Sequence, residues 1–163
     1  MKKSYYLTYK ELKEMDFNFI GKKCKISSLA SFVGTKNISI LEGSRIDDFT
    51  LIVANKGSVK IGKNTHIGGQ SYIQGWCGVE VGSSCKISQG VKIYSKSDNY
   101  LKIKNDQILK KVKIYDNVII GSNSIILPGT IIEKNCRIGA LTVVDKKIKK
   151  SHLFSRKKLI KIN

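Results

Sequence analysis

Apolar side chains recur every six residues along most of this chain, and the stretches between them are polar. The runs are Ile20, Ile26, Phe32; then Ile40, Ile46, Ile52; Ile61, Ile67, Ile73; Val81, Ile87, Ile93; and Ile114, Ile120, Ile126, Ile132, Ile138, Val144. All 18 positions are apolar and 15 are isoleucine, against 41% hydrophobic residues overall, so the ladder is not a by-product of composition. A period of six fits neither the 3.6 of a helix nor the 2 of an ordinary strand. It is the hexad of a parallel β-helix, in which a short strand turns a corner every six residues and three strands close a coil. The pattern predicts an all-β fold of about five to six triangular coils, spanning 20–37, 40–57, 61–78, 81–98 and 114–131, with a partial coil to about 145.

The residues between ladder positions refine this picture. Four residues after a ladder position the chain places small side chains such as Ala30, Ser44, Thr50, Thr65, Ser71, Ser124, Thr130 and Thr142. Cys24, Cys77, Cys85 and Cys136 occupy the same slot, which predicts small buried side chains rather than disulfides or a zinc site. Gly21, Asp47, Gly62, Gly68, Gly82, Gly121 and Gly139 follow ladder positions directly. They are expected to supply left-handed backbone at the corners.

Before the ladder, Thr8-Tyr9-Lys10-Glu11 has capping-box spacing and predicts a short helix near 9–15 that covers the first coil. Three segments result: a cap over 1–19, the β-helix over 20–145, and a basic tail over 146–163 that folds back on the last coil. Residues 99–113 abandon the six-step pattern, and long departures from a regular scaffold are where function concentrates.

The net charge of +18, nearly all lysine, is read either as a compositional bias or as an attraction for anions. Eight Lys/Arg residues and no acid follow Asp145. No nucleic-acid-binding module and no interleaving of aromatic with basic residues is evident, so nucleic acid is not an expected partner. No secretory leader and no apolar run of about 18 residues is present, so no membrane span is expected and the cytoplasm is the expected compartment.

Several longer motifs carry a resemblance. They are Glu14-Met15-Asp16-Phe17 with Ile20-Gly21-Lys22, Arg45-Ile46-Asp47-Asp48-Phe49, and Ile61-Gly62-x-x-x-His66-Ile67. They continue with Ile93-Tyr94-Ser95-x-Ser97-Asp98-x-Tyr100, Ile119-Ile120-Gly121-x-x-Ser124-Ile125-Ile126-Leu127-Pro128-Gly129, and Ile138-Gly139-Ala140-Leu141-Thr142-Val143-Val144. Over roughly residues 8–145 the chain resembles the hexapeptide-repeat acyltransferases. It is most similar to the sugar O- and N-acetyltransferases of surface-polysaccharide clusters, often labelled galactoside O-acetyltransferase-like.

The resemblance implies a left-handed β-helix, a homotrimer with active sites between subunits, acetyl-CoA as donor, no metal, and a sugar or nucleotide-linked sugar as acceptor. It implies a histidine that deprotonates the acceptor, which needs a base within hydrogen-bond reach of the attacking atom. Only His66 and His152 exist, and His66, on an outward coil corner, is the candidate. In relatives the catalytic histidine follows a Tyr-Thr-x-Thr-like stretch; here Tyr94-Ser95-Lys96-Ser97 is followed by Asp98. Either His66 is the base and Asp98 orients, or Asp98 itself takes the proton; an ordinary carboxylate is a weak base for a hydroxyl, which favours His66.

Asp47, Asp48, Ser97 and Tyr100 are candidates for sugar contacts. Gly121, Ser122, Gly139 and Ala140 are candidates for the pantetheine arm of coenzyme A, with Arg156 and Lys157 for its phosphates. In place of the family's closing Ala-Gly-x-Pro-Ala-Lys stretch the chain has Leu153-Phe154-Ser155-Arg156-Lys157-Lys158. Two other classes compete. A γ-type carbonic anhydrase shares the fold but needs three zinc-binding histidines, and two do not suffice. A non-catalytic trimeric scaffold or anion-binding module would show no acetyl-CoA binding.

Overall fold

The computed structural model describes residues 3–99, 106–155 and 158–161. The chain winds into an all-β parallel β-helix of about six turns with one short helix, in agreement with the left-handed β-helix expected. Three parallel sheets form its sides. The first is built from Phe19–Ile20, Ile38–Ile40, Val59–Ile61, Val79–Val81, Val112–Ile114, Ile131–Ile132 and Lys147–Ile148. The second contains Lys25–Ile26, Arg45–Ile46, His66–Ile67, Lys86–Ile87, Ile119–Ile120, Arg137–Ile138 and His152–Ser155, with Lys158–Lys161 added antiparallel at its end. The third contains Ser31–Val33, Leu51–Val53, Tyr72–Gln74, Lys92–Tyr94, Ile125–Ile126 and Val143–Val144.

Each ladder residue points into the coil and lies directly over its counterpart, as Ile46 over Ile26 and under Ile67. Nearly all are fully buried; Phe32 at the open end is half-buried. Burying an isoleucine contributes about 1.5–3 kcal/mol, so the stack is the main source of stability. The helix Tyr9–Glu14 closes the first coil. Thr8 Oγ1 accepts the Glu11 N–H at 3.3 Å, the Glu11 carboxylate accepts the Thr8 N–H at 2.7 Å, and Leu12 is buried against the ladder.

The small slot has a second use. Buried hydroxyls there donate to corner carbonyls one coil on: Ser44 to Gly62 at 2.7 Å, Thr65 to Gly82 at 2.7 Å, Ser124 to Gly139 at 2.8 Å. The thiols do likewise, with Cys85 Sγ 3.1 Å from the Tyr115 carbonyl and Cys136 Sγ 2.9 Å from that of Lys149. All four cysteines are free; Cys85 and Cys136 are buried, Cys24 and Cys77 half-buried. Burial pushes the Cys24, Cys85 and Cys136 thiols up in pKa, which keeps them protonated donors.

The glycines work differently from expectation. Gly21, Gly62, Gly68, Gly82, Gly121 and Gly139 do not adopt left-handed backbone; the left-handed residues come three after a ladder position, as at Lys23, Asn64, Ser84, Asn117 and Asn135. The glycines are needed because coils touch there. A Cβ on Gly62 would lie 2.4 Å from the Gly82 carbonyl carbon. Gly62→Ala is therefore expected to cost roughly 1–3 kcal/mol through overpacking, read as a lowered Tm in thermal unfolding. An unchanged Tm would mean that the coils part without cost.

Two further differences bear on function. The departure from the coil begins earlier than the ladder suggests: Lys96–Asp98 and Gln107–Leu109 form an antiparallel hairpin, and the coil resumes at Val112. The coil also continues past Val144, because Ile148 and Phe154 take two more inward positions, both buried, before the chain reverses. The slip from Val144 to Ile148 shortens the step to four residues, which hides the continuation. Among the described residues no helix is long and apolar enough to cross a membrane.

Candidate active site

On the second sheet, the residue before each ladder position faces outward. Strand register aligns these residues in a column of Lys25, Arg45, His66, Lys86, Ile119, Arg137 and Leu153. His66 thus opens a strand rather than sitting on a corner, with Arg45 and Lys86 as its neighbours above and below. The chain then turns after Ile46, and that corner brings Asp47 to the column. Asp47 Oδ2 lies 2.7 Å from His66 Nε2, while Asp47 Oδ1 accepts from Arg45 Nε at 2.6 Å. A carboxylate only accepts, so Nε2 carries the hydrogen of a neutral His66 and Nδ1 keeps the lone pair. The imidazole is 40% exposed and the Asp47 side chain 19%, so the ring is reachable and its anchor is covered.

Asp48, next on the corner, turns the other way. It accepts from Ser27 Oγ at 2.5 Å and from Ser4 Oγ at 2.7 Å. These hydroxyls, Ser27 first, hold its carboxyl below the usual carboxylate range. They also tie the N-terminal segment across the second sheet, where Tyr6 bridges to Ser27.

Two grooves meet at Asp47. One, of about 650 Å³, runs between the N-terminal segment and the corner and is lined by Tyr5, Tyr6, Arg45, Asp48, Phe49, Gln70 and Gln89 among others. The other, of about 280 Å³, is lined by His66, Gly68, Lys86, Ser88, Ile119 and Ser122. Asp47 and Gln89 belong to both. The structure therefore joins His66, Asp47 and Ser122, with Asp48 next door.

Asp98 and Ser97 stand apart, on the hairpin; Asp98 is exposed and accepts from Gln107 at 3.5 Å. The Gly121 and Gly139 N–H groups donate to the Ile138 and Phe154 carbonyls, so both are committed to the stack. Tyr100, Arg156 and Lys157 lie outside the described residues. Arg45, Lys86, Gln70 and Gln89 also line these grooves and are not among the residues expected from the sequence. The signal for the first two was present, since both immediately precede a ladder isoleucine, as His66 does.

Comparison with known proteins identifies the family. Residues 58–95 match the hexapeptide repeat of succinyl-transferase, and residues 108–146 the bacterial transferase hexapeptide of six repeats. The fold and these matches define a hexapeptide-repeat transferase. An Escherichia coli dTDP-4-amino-4,6-dideoxy-D-glucose acyltransferase is 39% identical, over 85% of this chain and 78% of that protein. The N-acyltransferase AntD from Bacillus cereus, solved with dTDP and 3-hydroxybutyryl-CoA, superposes with a TM-score of 0.88 at 29% identity, covering 97% of this chain and 88% of AntD. A variant of AntD in complex with dTDP-4-amino-4,6-dideoxyglucose and coenzyme A gives a TM-score of 0.89 at 27% identity, covering 98% and 90%. The chain belongs to the hexapeptide-repeat sugar acyltransferases, and is an enzyme of acyl transfer.

Proposed function

We propose that this enzyme transfers an acyl group, acetyl in the simplest case, from acyl-CoA to the amino group of a nucleotide-linked amino sugar. The observation that carries the reading is the His66–Asp47 contact at the junction of two grooves, one wide enough for the acceptor and one leading toward Ser122 for the donor. The names of the relatives support an amine over a hydroxyl acceptor.

His66 Nδ1 takes a proton from the acceptor nitrogen as that nitrogen attacks the thioester carbonyl. The C–N bond forms, the C–S bond breaks, and the coenzyme A thiolate leaves and is reprotonated. Asp47 is a positioning residue that fixes the tautomer. The column of Lys25, Arg45, Lys86 and Arg137 attracts the anionic ends of both substrates. Ser122 and Ala140 meet the pantetheine arm, while Gly139 is kept by the stack, and Arg156 and Lys157 meet the phosphates.

The assembly proposed is a homotrimer. The outer surface of the third sheet, with Leu51, Val53, Tyr72, Ile125 and Val143, is its most apolar side and suits packing between copies. Asp98, on a hairpin clear of its own chain's His66, would then approach the site from a neighbouring copy. The test is a mass-spectrometric assay of the wild type with acetyl-CoA and dTDP-4-amino-4,6-dideoxyglucose. An N-acetylated product is expected; turnover with free or nucleotide-linked hydroxyl sugars but not with this amine would overturn the choice of acceptor.

A further inference from the structure

Phe49 breaks two rules at once. It occupies the left-handed slot three after a ladder position, with φ of 59°, where the same corner in later coils carries Gln70, Gly90, Asn123 and Leu141. A left-handed conformation is costly for an ordinary side chain, a cost that glycine and asparagine largely escape. A buried aromatic could recover that cost by packing, but Phe49 is 63% exposed. Leu141 shares the anomaly, four coils away from the groove. The left-handed turn belongs to the corner itself, since Lys23, Ser84 and Leu141 adopt it while exposed; what sets Phe49 apart is a bare aromatic ring on the wall of a groove.

A use is suggested by what surrounds the ring. Phe49 lines the 650 Å³ groove with Tyr5 and Tyr6 on the N-terminal segment, and with the carboxamides of Gln70 and Gln89. The two carboxylates there are already engaged: Asp47 by Arg45 and His66, Asp48 by Ser4 and Ser27. The groove thus offers flat apolar surface beside two carboxamides, which suits an uncharged planar ring. It opens at Asp47 and Gln89 into the groove of His66 and Lys86, where phosphates would meet cations.

We propose that Phe49 is the stacking platform for the base of a pyrimidine nucleoside diphosphate, whose imide edge pairs with the carboxamides of Gln70 and Gln89. This makes Phe49 a specificity-determining residue for the acceptor, and it rests on the nucleotide-sugar reading above for the carrier of that base. Stacking on an aromatic side chain is sequence-tolerant by itself, so the amides supply selectivity and the ring supplies affinity.

The test is calorimetric titration of dTDP, without sugar or coenzyme A, into the wild type, Phe49→Asn and Phe49→Trp, with Tm and assembly mass measured on each. Phe49→Asn is expected to weaken dTDP binding about tenfold, the scale of one lost base–aromatic stack. It should also raise Tm by about 2–4 °C, because asparagine accepts the left-handed backbone. Phe49→Trp should keep the affinity. A wild type that does not bind dTDP, or a Phe49→Asn variant that binds it equally well, overturns the proposal. So does a lower Tm with loss of assembly mass, which would make Phe49 a contact between copies. If Phe49→Asn loses dTDP while the wild type transfers no acyl group, this inference stands and the proposed reaction falls; normal transfer with unchanged dTDP affinity in Phe49→Asn gives the reverse.

Discussion

His66→Ala is expected to lower kcat for acyl transfer by about 10²- to 10⁴-fold, the range that a positioned general base contributes. The geometry explains why nothing nearby would replace it. Asp47 stays paired with Arg45 through Oδ1, Asp48 takes two hydroxyls on its own Oδ1, and a carboxylate is in any case a weaker base than an imidazole. Because the imidazole is 40% exposed, its removal should leave Tm within error of the wild type, and KM should change much less than kcat. Steady-state kinetics with acetyl-CoA and dTDP-4-amino-4,6-dideoxyglucose, alongside thermal unfolding, decide the matter. Transfer that persists in His66→Ala but vanishes in Asp98→Asn would move the proton acceptor to the hairpin.

The fold was legible because the core is one repeated decision: an isoleucine every six residues has only one regular structure in which it is always inside. The reason for the corner glycines was not. Composition shows that no side chain is wanted at Gly62, but the cause is the approach of Gly82 from the next coil, which depends on coil spacing rather than on local backbone angles. The site divides along the same line. His66 and the Asp47-Asp48 pair stand out as residue types, whereas their contact depends on how the slips between coils set the register. Arg45 and His66 are 21 positions apart and adjacent in space only because the coil between them is longer than three hexads. The hairpin and the last coil lay beyond reach for related reasons. Lys96-Ser97-Asp98 forms a strand through pairing alone, with no apolar rhythm to announce it, and Ile148 and Phe154 keep the six-step spacing only after a short step that breaks the count.

Asp47→Asn should be more damaging than Asp47→Ala, the reverse of what volume conservation would suggest. Arg45 Nε donates to Oδ1 at 2.6 Å, so an amide at this position must keep its carbonyl oxygen toward Arg45. Its NH₂ then faces His66 Nε2, which is forced to accept, and the ring hydrogen moves to Nδ1. The nitrogen that should take the acceptor's proton is already protonated. A loss of roughly 10³- to 10⁴-fold in kcat is expected, comparable to other sites in which an orienting aspartate becomes asparagine. Alanine leaves the ring free to sample both tautomers, and the loss should stay near roughly 10- to 100-fold. The argument has a built-in check. Arg45→Met in the Asp47→Asn background frees the amide to turn over, which should restore kcat about tenfold while the same change in the wild type lowers it. Equal activities for the asparagine and alanine variants, or no recovery in the double variant, would show that Asp47 acts by charge alone and not by fixing which nitrogen of His66 is bare.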